Sequence, residues 1–387
     1  MKQTSSLTKH VVLGQPSWCV RSTGVEAFVT ELGGHLAPVV FDRQRRRIQP
    51  YALPPWWSEK LPADTLPLIR VLRGDFFCLP FGANAEPFRG ERHQVHGGTA
   101  NRKWKFEAIE RVAGKTTLHL SLKTTIRRGR VDKHITLVDG HNAVYCQHVI
   151  SGMSGPMDLG HHAILKFPER PGSGILTHSP AKFGMVSVQP LENPETFGYS
   201  MLKPGAKFSS LSRVPTMMGG WADLTRYPAR RGFEDLVLLA TRQIEPFAWV
   251  AVTFPEERYV WFALKDPQVL RQTALWHSNG GRHYAPWNGR HLNVLGIEDL
   301  TGFFHYGLAP SARRNCLNEL GEQTCFELKP DKPLKVNYIM AVAEIPRGYD
   351  CTRRIEAGRD GVLALVSAGG KSVRVPLRHD FLQTGVV

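Results

Sequence analysis

The chain has 387 residues, of which 42% are hydrophobic and 21% charged, a balance that excludes both an intrinsically disordered and a membrane-embedded protein. Its 49 basic side chains against 34 acidic ones leave a formal charge of +15, a field that draws polyanions or anionic small molecules. No helix-turn-helix, zinc-finger or ribonucleoprotein signature accompanies that charge, so nucleic acid is not an expected partner. The six cysteines, Cys19, Cys78, Cys146, Cys316, Cys325 and Cys351, form no CxxC pair, which argues against a disulfide framework or a zinc knuckle and for reduced thiols in a cytoplasmic protein. The N-terminal stretch lacks the apolar core of a signal peptide and no later run approaches 18 apolar residues, so neither export nor a membrane partner is expected.

Taken in chain order, the first notable segment is irregular: residues 52–68, ALPPWWSEKLPADTLPL. Regular alternation begins with TLHLSLKT, where Leu118, Leu120 and Leu122 alternate with His119, Ser121 and Lys123, the period of a strand with one buried face. A turn at Arg128-Gly129 returns the chain, HITLV ends at the hairpin signal Asp139-Gly140, and AVYCQHVI follows, giving three successive antiparallel strands. Residues 168–231 form a second irregular stretch, rich in proline, glycine and serine. FAWVAVTF, YVWFALK and KVNYIMAVAEI resume the strand pattern, with a single helical turn expected at 267–270, and GVLALVSA and SVRVPL close the sequence across Gly369-Gly370. Helical periodicity is nowhere sustained. The expected fold is all-β, a large antiparallel β-sandwich, with residues 1–387 as one domain. Long irregular stretches in such a domain are usually functional coverings or insertions.

HExxH, GxSxG and GxGxxG are absent, and AGGKS at 368–372 lacks the first glycine of a phosphate-binding loop, Leu365 standing there, so it predicts a hairpin turn. An ordered series of weaker motifs stands out instead: LPFGAN at 79–84, VHGG at 95–98, Trp104, LGHHAIL at 159–165 and LGIEDLTGF at 295–303. On a strand His161 and His162 face opposite sides, so only one of them lines a given pocket. Val294, Gly296 and Glu298 share one face of the late strand while Leu295, Ile297 and Asp299 share the other. A glutamate in so apolar a strand needs a cationic partner or a chemical role. A sugar pocket wants aromatic platforms beside polar groups, and among Trp56, Trp57, Trp276 and Trp287 the best placed is Trp276, with core packing the default for the others.

The motif series, spanning nearly the whole sequence, resembles the aldose 1-epimerase (galactose mutarotase) family, with its PF-N-R stretch, HG and tryptophan, central strand of pattern G-x-H-x-x-F and late EP. The resemblance implies a galactose mutarotase-like supersandwich that interconverts α and β anomers of a hexose or hexose derivative, with a small-molecule carbohydrate as partner and neither metal nor organic cofactor required. It makes Glu298 the general base on the anomeric hydroxyl, His162 the general acid toward the ring oxygen, and His96 a hydrogen-bond donor beside them. Asn84 would touch substrate. Two departures accompany it: Asp299 replaces the proline after the glutamate, and Ala85 stands where an arginine follows the asparagine, so the arginine contact falls to Arg73, Arg89 or Arg92. Two further readings stay open, a non-catalytic sugar-binding protein of the same fold and an epimerase for phosphorylated or acidic sugars.

Overall fold

The computed structural model describes residues 9–244, 246–358 and 361–387. Two antiparallel sheets face each other. One has nine strands, ordered Arg226–Tyr227, Gly174–His178, Ala248–Phe254, Tyr259–Lys265, Leu334–Glu344, Ala143–Ser151, Gly129–Val138, Lys115–Thr124 and Lys105–Val112. The other has eight: Lys207–Phe208, Ala181–Val186, Phe233–Thr241, Gln272–Asn279, Val294–Thr301, Leu159–His161 and Phe77–Cys78 in order, with Ala163–Lys166 also pairing with Val294–Thr301. The all-β sandwich expected from the alternation is therefore present, and the three consecutive strands pair in the anticipated order, Thr124 opposite Gly129 across the first turn. Residues 266–270 form the single expected turn, closed by the Leu270 N–H on the Asp266 carbonyl at 2.8 Å.

Apolar residues at every second position of both sheets fill the space between them, among them Leu118, Leu120, Val252, Trp261, Leu275, Leu295 and Ile297. The sheets' outer faces are covered as well. Leu236, Leu238, Ala274 and Trp276 on the outer face of the eight-stranded sheet meet Trp56, Leu68, Leu72 and Phe76, so the irregular stretch at 52–68 leads into a covering layer. The nine-stranded sheet is backed by a three-stranded sheet, Thr352–Ala357, Val362–Ser367 and Ser372–Pro376, through Ile355, Leu363, Leu365 and Val375.

The structure corrects the reading of residues 168–231 as irregular throughout. Gly174–His178 and Ala181–Val186 are strands there, one joining each large sheet. Short helices also occur, Pro67–Val71, Gly97–Asn101 and Leu308–Ala312 among them, at five residues too short to show a 3.6-residue period. Among the described residues no helix is long and apolar enough to cross a membrane.

Several histidines are buried uncharged. Burial pushes His35 and His291 down to about 3. The unfolded protein takes up protons at these positions below about pH 6.5, whereas the folded one does not until about pH 3, so stability is complete above pH 6.5 and falls on acidification. We expect a loss of roughly 1.4 kcal/mol per histidine per pH unit across that window. Melting temperatures measured from pH 7 to 4.5 check this; an unchanged melting temperature would contradict it.

Candidate active site

Three segments converge on the outer face of the eight-stranded sheet. On Val294–Thr301 the alternation is as expected: Val294 and Leu300 belong to the outer cluster and Glu298 lines the cavity on that side, while Leu295 and Ile297 belong to the core between the sheets. The neighbouring register, Gly160 opposite Leu300 and Ala163 opposite Ile297, puts His162 directly across from Glu298. Cross-strand partners present their side chains on one face, and His162 Nε2 stands 3.2 Å from Glu298 Oε1. Gly296 leaves the space they use: a Cβ there would lie 3.0 Å from Glu298 Oε1 and 3.0 Å from the Trp276 ring. The His162 ring stacks on Phe76, centroids 4.6 Å apart.

His96 arrives from a tight turn. Gly97 packs on the backbone of Leu79 so closely that a Cβ would fall 1.9 Å from its carbonyl oxygen, and its φ of +72° is one that glycine adopts freely. The glycine of the His-Gly pair is thus a packing requirement that fixes the histidine before it. His96 Nδ1 accepts from the Gly82 N–H at 3.3 Å, which assigns the proton to Nε2 and makes that atom the free donor. The His96 and His162 rings meet edge to face, centroids 5.0 Å apart.

Burial pushes the Glu298 carboxyl up to about 8, tempered by the Arg282 charge, and pushes the His162 imidazole down to about 3. Each shift disfavours that group's isolated charge. The two groups stand 3.2 Å apart, close enough that a single proton held by either one leaves the pair net neutral.

The third segment follows Gln272–Asn279. Trp276 Nε1 and Ser278 Oγ each donate to the Glu234 carboxylate at 2.9 Å, and burial raises that carboxyl to about 7. Arg282 Nε donates to Glu192 Oε1 at 2.5 Å, and its guanidinium carbon lies 5.3 Å and 4.5 Å from the ring centroids of Trp276 and Trp287. Tyr284 OH reaches Glu192 at 3.2 Å. Arg282, Tyr284, Trp276 and Trp287 line a cavity of about 350 Å³ whose polar lining is His96, His162, Arg282, Tyr284, Glu298 and His305. The size lies at the small end of ligand pockets, roughly 300–1,000 Å³.

Of the residues anticipated from sequence, the structure brings Glu298, His162, His96 and Trp276 to one cavity. His161 turns into the core, where its Nδ1 meets Asp75 at 2.9 Å and its ring stacks on Tyr338. Asn84 is a correction. Its amide nitrogen donates to the Gly82 and Gln94 carbonyls at 3.0 Å and its oxygen accepts from the Leu308 N–H at 2.9 Å, so it braces the loop and does not line the cavity. Arg73 is another: wholly buried, it donates to the carbonyls of Val71 and Leu13 at 3.1 Å. Arg89 and Arg92 are exposed and outside the cavity, Arg89 lying against its neighbour Phe88. The arginine that does line it, Arg282, escaped the sequence reading, as did Tyr284 and His305. Arg282 lies just past the strand that carries Trp276, behind the Gly280-Gly281 turn, and that proximity was the available signal. Trp287 lines the cavity too, with Trp56 packed edge-on behind it at 4.8 Å. Among the described residues no group of three or more His, Cys, Asp or Glu side chains could hold a metal ion.

No family model and no curated protein matches the chain. Solved structures do. A galactose mutarotase-like protein from Clostridium acetobutylicum superposes with a TM-score of 0.57 at 11% identity, covering 88% of this chain and 98% of the other. A galactose mutarotase related enzyme from Lactobacillus acidophilus gives a TM-score of 0.53 at 12% identity, covering 85% of this chain and 99% of the other. At such identities the likeness establishes the architecture.

Proposed function

We propose, from the galactose mutarotase-like fold and the cavity built on it, that the protein interconverts the anomers of a sugar by acid–base ring opening. The observation that carries this reading is the buried Glu298–His162 pair, 3.2 Å apart on the cavity wall. The anomeric oxygen and the ring oxygen of a pyranose are bonded to the same carbon. An acid and a base that act on them together must therefore stand side by side, as cross-strand neighbours do.

In the forward step the Glu298 carboxylate takes the proton of the anomeric hydroxyl while the His162 imidazolium gives its proton to the ring oxygen. The bond from the anomeric carbon to the ring oxygen breaks and the aldehyde forms. The pair is left as carboxylic acid and neutral imidazole, the other of its two one-proton forms. After rotation about the bond next to the carbonyl, reclosure from the opposite face returns both protons. Net charge in the cavity does not change during the step, and burial favours the carboxylic acid and neutral imidazole that it leaves. His96 Nε2–H is positioned to stabilise charge developing on oxygen. Trp276 and Trp287, which line the cavity beneath Arg282, add apolar surface for the C–H side of the ring.

Arg282 bears on the alternative of an anionic substrate. Glu192 at 2.5 Å and Glu234 at 4.0 Å answer its charge, so among the described residues the cavity lining carries no surplus of positive charge. Exchange spectroscopy on a panel of neutral aldoses, their phosphates and uronic acids tests both points. We expect accelerated exchange for at least one neutral aldose and no gain from a phosphate or carboxylate. No acceleration with any member would leave a non-catalytic sugar-binding protein.

A further inference from the structure

We propose that the sugar taken by this cavity bears an apolar substituent where common hexoses carry a free hydroxyl, as a deoxy sugar or an O-alkylated or O-acylated sugar does. The inference rests on the reading of the cavity as a sugar site and names its substrate class. Its ground is the wall formed by one short segment. Leu66, Leu68, Ile69 and Leu72, in and beside the helix Pro67–Val71, all line the cavity, joined by Leu191 and Leu236.

The side chains of that wall offer a hydroxyl nothing to bond. The one charged side chain of the helix, Arg70, turns away and donates to the carbonyls of Thr65 and Pro62. The backbone is engaged as well: the Leu68 N–H donates to Asn101 Oδ1 at 3.0 Å, the Ile69 N–H to the Leu66 carbonyl at 3.0 Å, and the Ile69 carbonyl accepts from Trp56 Nε1 at 2.8 Å. The cavity's polar groups come from other segments, those carrying His96, His162, Arg282, Tyr284, Glu298 and His305. A buried hydroxyl facing the leucines would lose its water without replacement, whereas a methyl or acyl group there gains from burial. Leu66 remains 44% exposed, so the apolar surface runs out to solvent and leaves room for a group longer than methyl.

The test measures both anomer-exchange rate and dissociation constant for matched pairs: 6-deoxyhexoses against their parent hexoses, and a hexose with a short O-acyl ester against the same hexose unacylated. A preference of roughly tenfold or more for the apolar member of a pair is expected, the size that a methyl or methylene contributes in a hydrophobic pocket. The arm that shows it separates a deoxy sugar from an acylated one. In Ile69→Thr, which keeps the side chain's branching, the ratio should fall toward one; Leu66→Ser, at a partly exposed position, gives a second reading should the first variant fold poorly. Parent hexoses that bind and exchange as well as their apolar counterparts would overturn the proposal and leave the acid–base reading standing. Preferential binding of the apolar members without any exchange would keep the proposal and overturn the acid–base reading. No binding of any member would overturn both.

Discussion

Replacing Glu298 with glutamine should lower the rate of anomer exchange by about 10²–10⁴-fold while sugar affinity stays within about threefold of the original. The amide keeps the size of the side chain and most of its hydrogen bonding but cannot accept the anomeric proton, so the loss falls on the transition state. Stability should be retained. Burial holds the Glu298 carboxyl up at about 8, so at neutral pH with no sugar present the position already favours an uncharged group, and an amide is uncharged too. His162→Asn should cost a similar factor. Because both groups serve one proton cycle, the double variant should lose far less than the product of the two single losses. A Glu298→Gln protein that folds, binds sugar and still exchanges anomers at the original rate would remove Glu298 from the mechanism.

Asp299→Ala should lower stability by about 3–5 kcal/mol, the usual consequence of leaving one member of a buried ion pair alone. Asp299 points into the core between the sheets, where Lys265 Nζ lies 2.6 Å from its Oδ1 and Tyr338 OH and Thr273 Oγ1 donate to it at 2.8 and 2.6 Å. Both charged side chains are 1% exposed. Removing the carboxylate strands an ammonium in a dry core. Replacing both partners, Asp299→Leu with Lys265→Met, should recover much of the loss, because well-packed apolar groups often do as well as a buried pair. Chemical denaturation of the single and double variants checks this. A single variant as stable as the parent would show that the pair contributes nothing to holding the sheets together.

The same pair explains a departure visible in the sequence. Where the family's pattern has proline after the glutamate, this protein has an aspartate, and the structure gives that aspartate a partner in Lys265 on the facing sheet. Lys115–Thr124 and Gly129–Val138 could be read from alternation because buried and partly exposed positions alternate along much of their ten residues. The paired segments Lys207–Phe208, Val214–Pro215 and Trp221–Ala222 could not, since two residues contain no period. Glu298 and His162 were picked out by the resemblance of their motifs, and alternation added only which residues share a face with them.

Arginines were not legible in that way. Arg73, Arg89 and Arg282 are chemically alike in sequence, and what separates them is the direction of a long side chain leaving a loop. Arg73 is drawn inward by backbone carbonyls, Arg89 lies out on the surface, and Arg282 is drawn over the cavity by Glu192 and two tryptophans. Asn84 was misplaced for a related reason, since an asparagine that braces a turn and one that binds a hydroxyl have the same composition around them. The asparagine's φ of +52° marks the bracing role only once the backbone is known.

The most direct test of the central claim is a crystal structure of Glu298→Gln soaked with a sugar that the parent protein turns over. The account predicts a pyranose in the cavity with its anomeric oxygen at hydrogen-bond distance from the side chain of residue 298 and its ring oxygen at the same distance from His162 Nε2. A sugar bound with its anomeric carbon turned away from both groups, or bound elsewhere on the protein, would contradict it.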